Sequence, residues 1–193
     1  MAQIIKTAKA KLFCGILTED SLLAEIIIDT LKHKFGDIDC ITEKMNFDHT
    51  GYYDEIGGSL FKILISFNKL IKKEKIADIK HWTNKIEKKY SVKMNLPVDN
   101  QTGIRTNRGR ETEILRRVNI DPGYMTLSNV FLASCKDYYH RVYIGKSIFL
   151  ENELRYCNKK YIFWDWTYPD YKKEEYLEFF VKVRKIYHKQ LQS

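Results

Sequence analysis

The chain predicts an α+β fold: a single domain over residues 1–193, with a ferredoxin-like βαββαβ core extended by a C-terminal β-hairpin and helix. Apolar residues alternate at Phe61, Ile63, Ile65 and Phe67, which is the period of a strand. They recur at helical spacing at Leu22, Leu23, Ile26, Ile27 and Leu31, at Ile76, Ile79, Trp82, Ile86 and Tyr90, and at Tyr176, Phe180, Val183 and Tyr187. Strand-like and helix-like segments follow one another in the order βαββαβ before further strands appear.

Lys11 to Leu17 is a short apolar run, the pattern of a buried strand. Thr18-Glu-Asp-Ser21 offers capping side chains for the first helix, and Gly36 supplies its stop. Ile38 to Phe47 predicts a second strand and Ser59 to Ile71 a third. After the helix at 76–90, Arg117 to Tyr124 predicts a fourth. Val130 to Ser134, Tyr138 to Ile144 and Ser147 to Tyr156 are further strands, and the last helix runs from Lys172 to Gln190. Between them, residues 94–113 hold Pro97, Asn100, Gly103, Asn107 and Gly109 and predict a surface loop.

With 44% hydrophobic residues, the chain can bury a core, which argues against disorder. No apolar run reaches the length needed to span a bilayer, and the first residues are too short and polar for a signal peptide. A cytoplasmic location without membrane association is expected. Cys14, Cys40, Cys135 and Cys157 form no closely spaced pair, which argues against zinc and for a reducing compartment. The net charge of +8 points to an anionic partner: a nucleotide, a phosphorylated small ligand or RNA. An AT-rich genome would also enrich Lys, Ile, Tyr and Asn without any selection for binding.

The candidate site residues crowd into the last third. If Gly145 and Lys146 form a type II′ turn, His140 faces Glu151 across a hairpin, and a carboxylate beside an imidazole prepares a general acid or base. A structural cross-strand ion pair explains the same spacing. Arg141 would point to the opposite face from His140, so one strand would not present both to one ligand. Lys136 can hold a phosphate, and Asp137 can bind a metal or cap a turn. Asp121-Pro-Gly-Tyr124 reads either as a type II turn or as a carboxylate at a strand end, with Tyr124 beside the ligand. Asp170, with Tyr168 before it, is either a ligand contact or the N-cap of the last helix. Trp164, Trp166, Tyr168 and Tyr171 offer either a stacking platform for a base or an ordinary aromatic cluster. His49 has no second nearby histidine and is no metal motif.

Gly145-Lys146-Ser147 resembles the end of a P-loop, but the leading glycine would fall at His140 and the segment joins two strands. Asn84-Lys85 lacks the aspartate of a guanine-reading motif. A Ras-type GTPase is excluded.

Lys11-Leu-Phe-x-Gly-Ile16, Phe47-x-x-Thr-x-Tyr-Tyr53, Ser66-Phe67, Val118-Asn-Ile-Asp-Pro-Gly-Tyr124, Leu132-Ala-Ser-x-Lys-Asp137, His140-Arg141 and Trp166-Thr-Tyr-Pro-Asp-Tyr171 together resemble the family called domain of unknown function 4416. The likeness covers nearly the whole chain. Members often carry the label GTP-binding protein, which the motifs here do not support. Ile56-Gly57 stands where many members have Met-Gly, and Cys135 where threonine is usual.

Two functions follow as expectations. In the first, Lys136 and Arg141 hold the phosphate of a nucleotide or other small ligand, His140 and Glu151 act as acid and base, and Asp121 orients a group or binds Mg²⁺. In the second, a non-enzymatic RNA-binding module stacks bases on Trp166 and Tyr168, and Arg105, Arg108, Arg110, Arg116 and Arg117 grip the backbone. A partner-binding protein with no small ligand is the third reading.

Overall fold

Every residue of β1 (Lys11–Thr18) is buried. A strand of that kind needs cover on both faces. The computed structural model, which describes residues 7–47, 53, 55–95 and 112–192, supplies it. Leu12, Cys14 and Ile16 pack with α1 (Ser21–Phe35) and α2 (Ile76–Lys89) on one face. Phe13 packs with α3 (Glu174–Gln190) on the other. Each large apolar side chain buried this way contributes about 1.5–3 kcal/mol.

The remaining strands are β2 (Ile38–Ile41), β3 (Met45–Asn46), β4 (Phe61–Phe67), β5 (Val92–Asn95), β6 (Thr112–Leu115), β7 (Asn119–Met125), β8 (Asn129–Ser134), β9 (Val142–Gly145), β10 (Ile148–Cys157) and β11 (Lys160–Phe163). The main sheet runs β11-β10-β8-β7-β1-β4-β2, with β3 beside β4 and β9 beside β10, and all neighbours are antiparallel. Its β7-β1-β4-β2 portion, linked through α1 and α2, is the predicted βαββαβ core. The C-terminal strands extend that core from β7, and α3 returns across the face opposite α1 and α2. No helix among the described residues is long and apolar enough to cross a membrane.

Several predicted elements are redrawn. The strand expected at 38–47 is broken into β2 and β3, because Thr42 serves Leu64 through its own N–H and its side-chain oxygen instead of through a regular ladder. Asp121-Pro-Gly-Tyr124 is not a turn; it lies inside β7. The hairpin between β9 and β10 turns at Lys146 and Ser147, both with φ of 55°, and not at Gly145-Lys146. That moves the register by one, so Phe149 pairs with Tyr143. Asn158 and Lys159 make a second left-handed turn into β11, a strand with no counterpart in the expected order. The expected loop at 94–113 is flanked by the ribbon β5–β6, and residues 96–111 lie outside the described residues.

Candidate functional site

β8 pairs with β7 only from Gly123 to Met125, so the first half of β7 has no strand on that side. α2 takes the strand's place there. Lys80 donates to the Ile120 carbonyl at 3.0 Å, and the Ile120 N–H donates to Glu87 at 2.8 Å. Side chains thereby satisfy backbone groups that would otherwise be buried without partners. Where the strands part, on the α3 side of the sheet, lies a cavity of about 260 Å³. Asp121, Lys62, Lys136, Tyr53, Tyr168 and Asp170 are among its lining residues.

Alternating charges run through this site. Asp170 accepts from Lys62 at 2.7 Å, and Asp121 accepts from Lys80 at 3.3 Å and from Asn119 at 2.7 Å. Burial opposes the charge on Lys62, but Asp170, Tyr176 and Asp121 outweigh it and hold the ammonium pKa above the ordinary lysine value. Lys80 is raised in the same way, with burial overcome by Asp121 and Glu87. Burial also opposes the charge on Asp121, yet Lys80 and Lys62 hold its carboxyl below the usual range. Both lysines are therefore fixed cations, not amine nucleophiles. The rings of Phe47, Tyr171 and Tyr176 lie 5.3, 5.5 and 5.9 Å from the Lys62 nitrogen.

The wall formed by Tyr168 to Tyr171 is pinned from behind by residues expected to do chemistry. Glu151 accepts from Arg141 and engages His140 Nε2 at 2.7 Å. The His140–Glu151 contact is present although the register differs, because His140 lies in a turn closed by the Arg141 N–H to the Tyr138 carbonyl, ahead of β9. The same turn lets His140 and Arg141 reach one carboxylate, against the expectation that they point apart. Arg141 also donates to the Tyr168 hydroxyl at 2.8 Å, to Ser134 and to the Lys136 carbonyl. With its side chain 1% exposed and its donors engaged, it is placed to orient Tyr168, not to grip a phosphate. Burial raises the Tyr168 phenol to about 12 against the opposing pull of Arg141.

Asp121, Lys136, Tyr168 and Asp170 thus meet at the cavity, with His140, Arg141 and Glu151 behind it. Tyr124 is elsewhere: three places along β7 from Asp121, it lies on the opposite face of the strand, against Phe131 and the α1–α2 core. Asp170 is not the N-cap of α3, which begins after Lys173 without a side-chain cap. Asp137 is exposed and outside the lining. No three His, Cys, Asp or Glu residues converge as metal ligands among the described residues, and Asp121 is already held by Lys80 and Asn119, so the donor set does not fit Mg²⁺.

The aromatic platform is filled from within. His140 stacks on Trp166 at 5.3 Å, Trp166 on Trp164 at 5.4 Å, and Arg155 lies over Trp164. Both faces of Trp166 are occupied. Arg116 pairs with Glu55 and Arg117 with Asp20, while His49, Arg105, Arg108 and Arg110 lie outside the described residues.

Sequence reasoning missed Lys62, Lys80, Glu87 and Glu153. The signal for Lys62 was a lone lysine in an apolar strand; for Lys80 and Glu87 it was charge seven residues apart beside a helix's apolar stripe. Glu153 is fully buried, accepts from the Tyr168 N–H at 3.2 Å and leaves Oε1 without a partner.

No curated protein and no solved structure matches this chain. The family model described as Domain of unknown function (DUF4416) matches residues 8–187, nearly the whole of it. The chain therefore belongs to the domain of unknown function 4416 family.

Proposed function

We propose that this protein binds a compact phosphorylated ligand, a sugar phosphate or the phosphate-bearing part of a nucleotide, in the cavity beside Lys62. The observation that carries this reading is the state of Lys62. It is buried and protonated, and it lines the cavity with one of its three N–H donors spent, on Asp170. Lys136 adds a second cation to the lining, and the Tyr53 and Tyr168 rings form apolar walls. Ionised Asp121 orients a ligand hydroxyl. The volume lies below the roughly 300–1,000 Å³ of sites for drug-sized ligands, which favours a compact ligand.

Thermal shift against inorganic phosphate, sugar phosphates and nucleotides tests it. A ligand at about a hundred times its Kd should stabilise the protein by about 2.7 kcal/mol. Lys136→Ala should weaken that response. The double variant Lys62→Met with Asp170→Asn, which removes the cation without stranding its carboxylate, should abolish it. A response that survives the double variant, or a flat screen, sinks the proposal.

A further inference from the structure

On the opposite side of the sheet from α3, a groove of about 750 Å³ runs between the C-terminal end of α1, the exposed side of α2 and the β9–β10 turn. Three places on the fold supply its rim: Lys34 from α1, Lys85 from α2 with Lys75 immediately before its first residue, and Lys146 from the turn, all exposed. Asp78, shared between Lys75 and Lys146, is the one acidic residue among its described lining residues. The excess is therefore three positive charges. His81 engages the Lys146 carbonyl at 2.7 Å and ties the turn to α2, so the rim has a fixed shape. The floor is apolar, formed by Phe35, Ile79 and half-buried Trp82.

We infer that this groove is a docking surface for single-stranded RNA, separate from the cavity. A cationic rim over an aromatic floor is the arrangement that tracks a phosphate backbone while a base stacks below. Lys34 already lies over the Trp82 ring, at 5.5 Å from its centre. A base stacking on Trp82 would displace that ammonium towards a phosphate. Lys88 and Lys89 continue the exposed basic side of α2. The span from Lys75 to Lys89 is about 21 Å of helix, long enough to follow several phosphates. A bilayer surface cannot reach a floor recessed between two helices and a turn, and an acidic peptide would gain nothing from the half-buried indole. The site differs from the Trp166 platform, whose faces are filled.

Fluorescence anisotropy of a labelled single-stranded RNA of about 20 nucleotides tests it at about 50 and 200 mM salt. Four lysine–phosphate contacts on a single strand predict a slope of log K against log salt near −3, a loss of about 50-fold over that interval. Lys34→Ala with Lys85→Ala should bring the slope to about −1.4. Trp82→Leu should weaken binding while leaving the slope unchanged. Lys182→Ala with Lys185→Ala, on exposed positions of α3 across the sheet, should alter neither. Absence of binding at about 10⁻⁴ M protein would overturn the inference, that being the weak end of non-specific affinity. Equal losses in the α3 variant, or equally tight capture of a polyglutamate peptide or an anionic vesicle, would also overturn it.

Discussion

Glu153 is a residue whose charge state is set by its surroundings. Burial, and then the neighbouring Glu151, keep its carboxyl protonated well above the ordinary glutamate range. In the unfolded chain the same group titrates near about 4.3. Between those two pKa values the folded protein holds a proton that the unfolded chain has lost, so stability falls as pH rises through this interval. Asp121 acts with the opposite sign: its folded pKa is depressed, so its contribution is present above the unfolded value and is lost as pH falls through the folded one. Glu153→Gln removes the first effect and leaves the second. The variant should melt a few degrees higher than the parent near neutral pH, since about 1 kcal/mol moves the melting point by about 2–4 °C in a chain of this size. The difference should vanish as pH falls towards 4. A gap that is constant with pH would mean that Glu153 does not change its protonation on folding. Nothing in the sequence announces this residue, because its burial depends on the segment carrying Tyr168, which covers it from another part of the chain.

At the scale of elements, local signals and packing signals have the same spelling. Pro122-Gly123 has the composition of a turn, yet both residues sit in β7 for packing reasons. The Ile120 N–H and carbonyl point away from β1, towards Glu87 and Lys80, and residues two apart in a strand point to the same side. The N–H that Pro122 lacks would fall on that same side, where β8 has not yet joined. Gly123 is required for a different reason: a Cβ there would lie 2.3 Å from the Phe13 ring and 2.3 Å from the Phe131 carbonyl oxygen. Gly123→Ala should therefore cost about 3 kcal/mol in urea denaturation, the upper end of the overpacking range, partly because backbone cannot swing aside. Gly58→Ala, where a Cβ meets nothing within 4 Å, should lie within about 0.5 kcal/mol of the parent. Equal effects at the two sites would refute this packing role. Helices and long strands were legible because the 3.6- and 2-residue periods survive in the sequence. The hairpin register was not, since Gly145, Lys146 and Ser147 permit two turns and the choice depends on how β10 meets β8. The candidate site was legible as a crowd of polar residues in the last third; its partners Lys62 and Lys80 come from far away in sequence and only the crossing of β4 and α2 beneath them brings them in.

Across the whole molecule, the cavity sits on a seam. Lys62 and Asp121 belong to the βαββαβ core, while Lys136, Tyr168 and Asp170 belong to the C-terminal extension. One link across it is the buried pair Lys62–Asp170, 108 residues apart in sequence. Removing one member of such a pair leaves the other charged and unsolvated, which costs about 3–5 kcal/mol, whereas replacing both with neutral groups of similar volume costs much less. Lys62→Met and Asp170→Asn should therefore each destabilise strongly, and the double variant should lose far less than their sum. The extension also completes the core of the first part, since Phe13 and Leu64 lie in one cluster with Leu154, Tyr171 and Phe180. It follows that the two parts unfold together. In a Trp82→Phe background, Trp164 and Trp166 are the only indoles and report on the extension, and far-ultraviolet circular dichroism reports on every helix and strand. In the parent and in all three variants the two signals should trace one coincident transition whose midpoint moves with the mutation. If fluorescence in Lys62→Met fell at lower urea than the dichroism, the extension would be melting off an intact core. The ligand site would then belong to an interface between two domains and not to the interior of one.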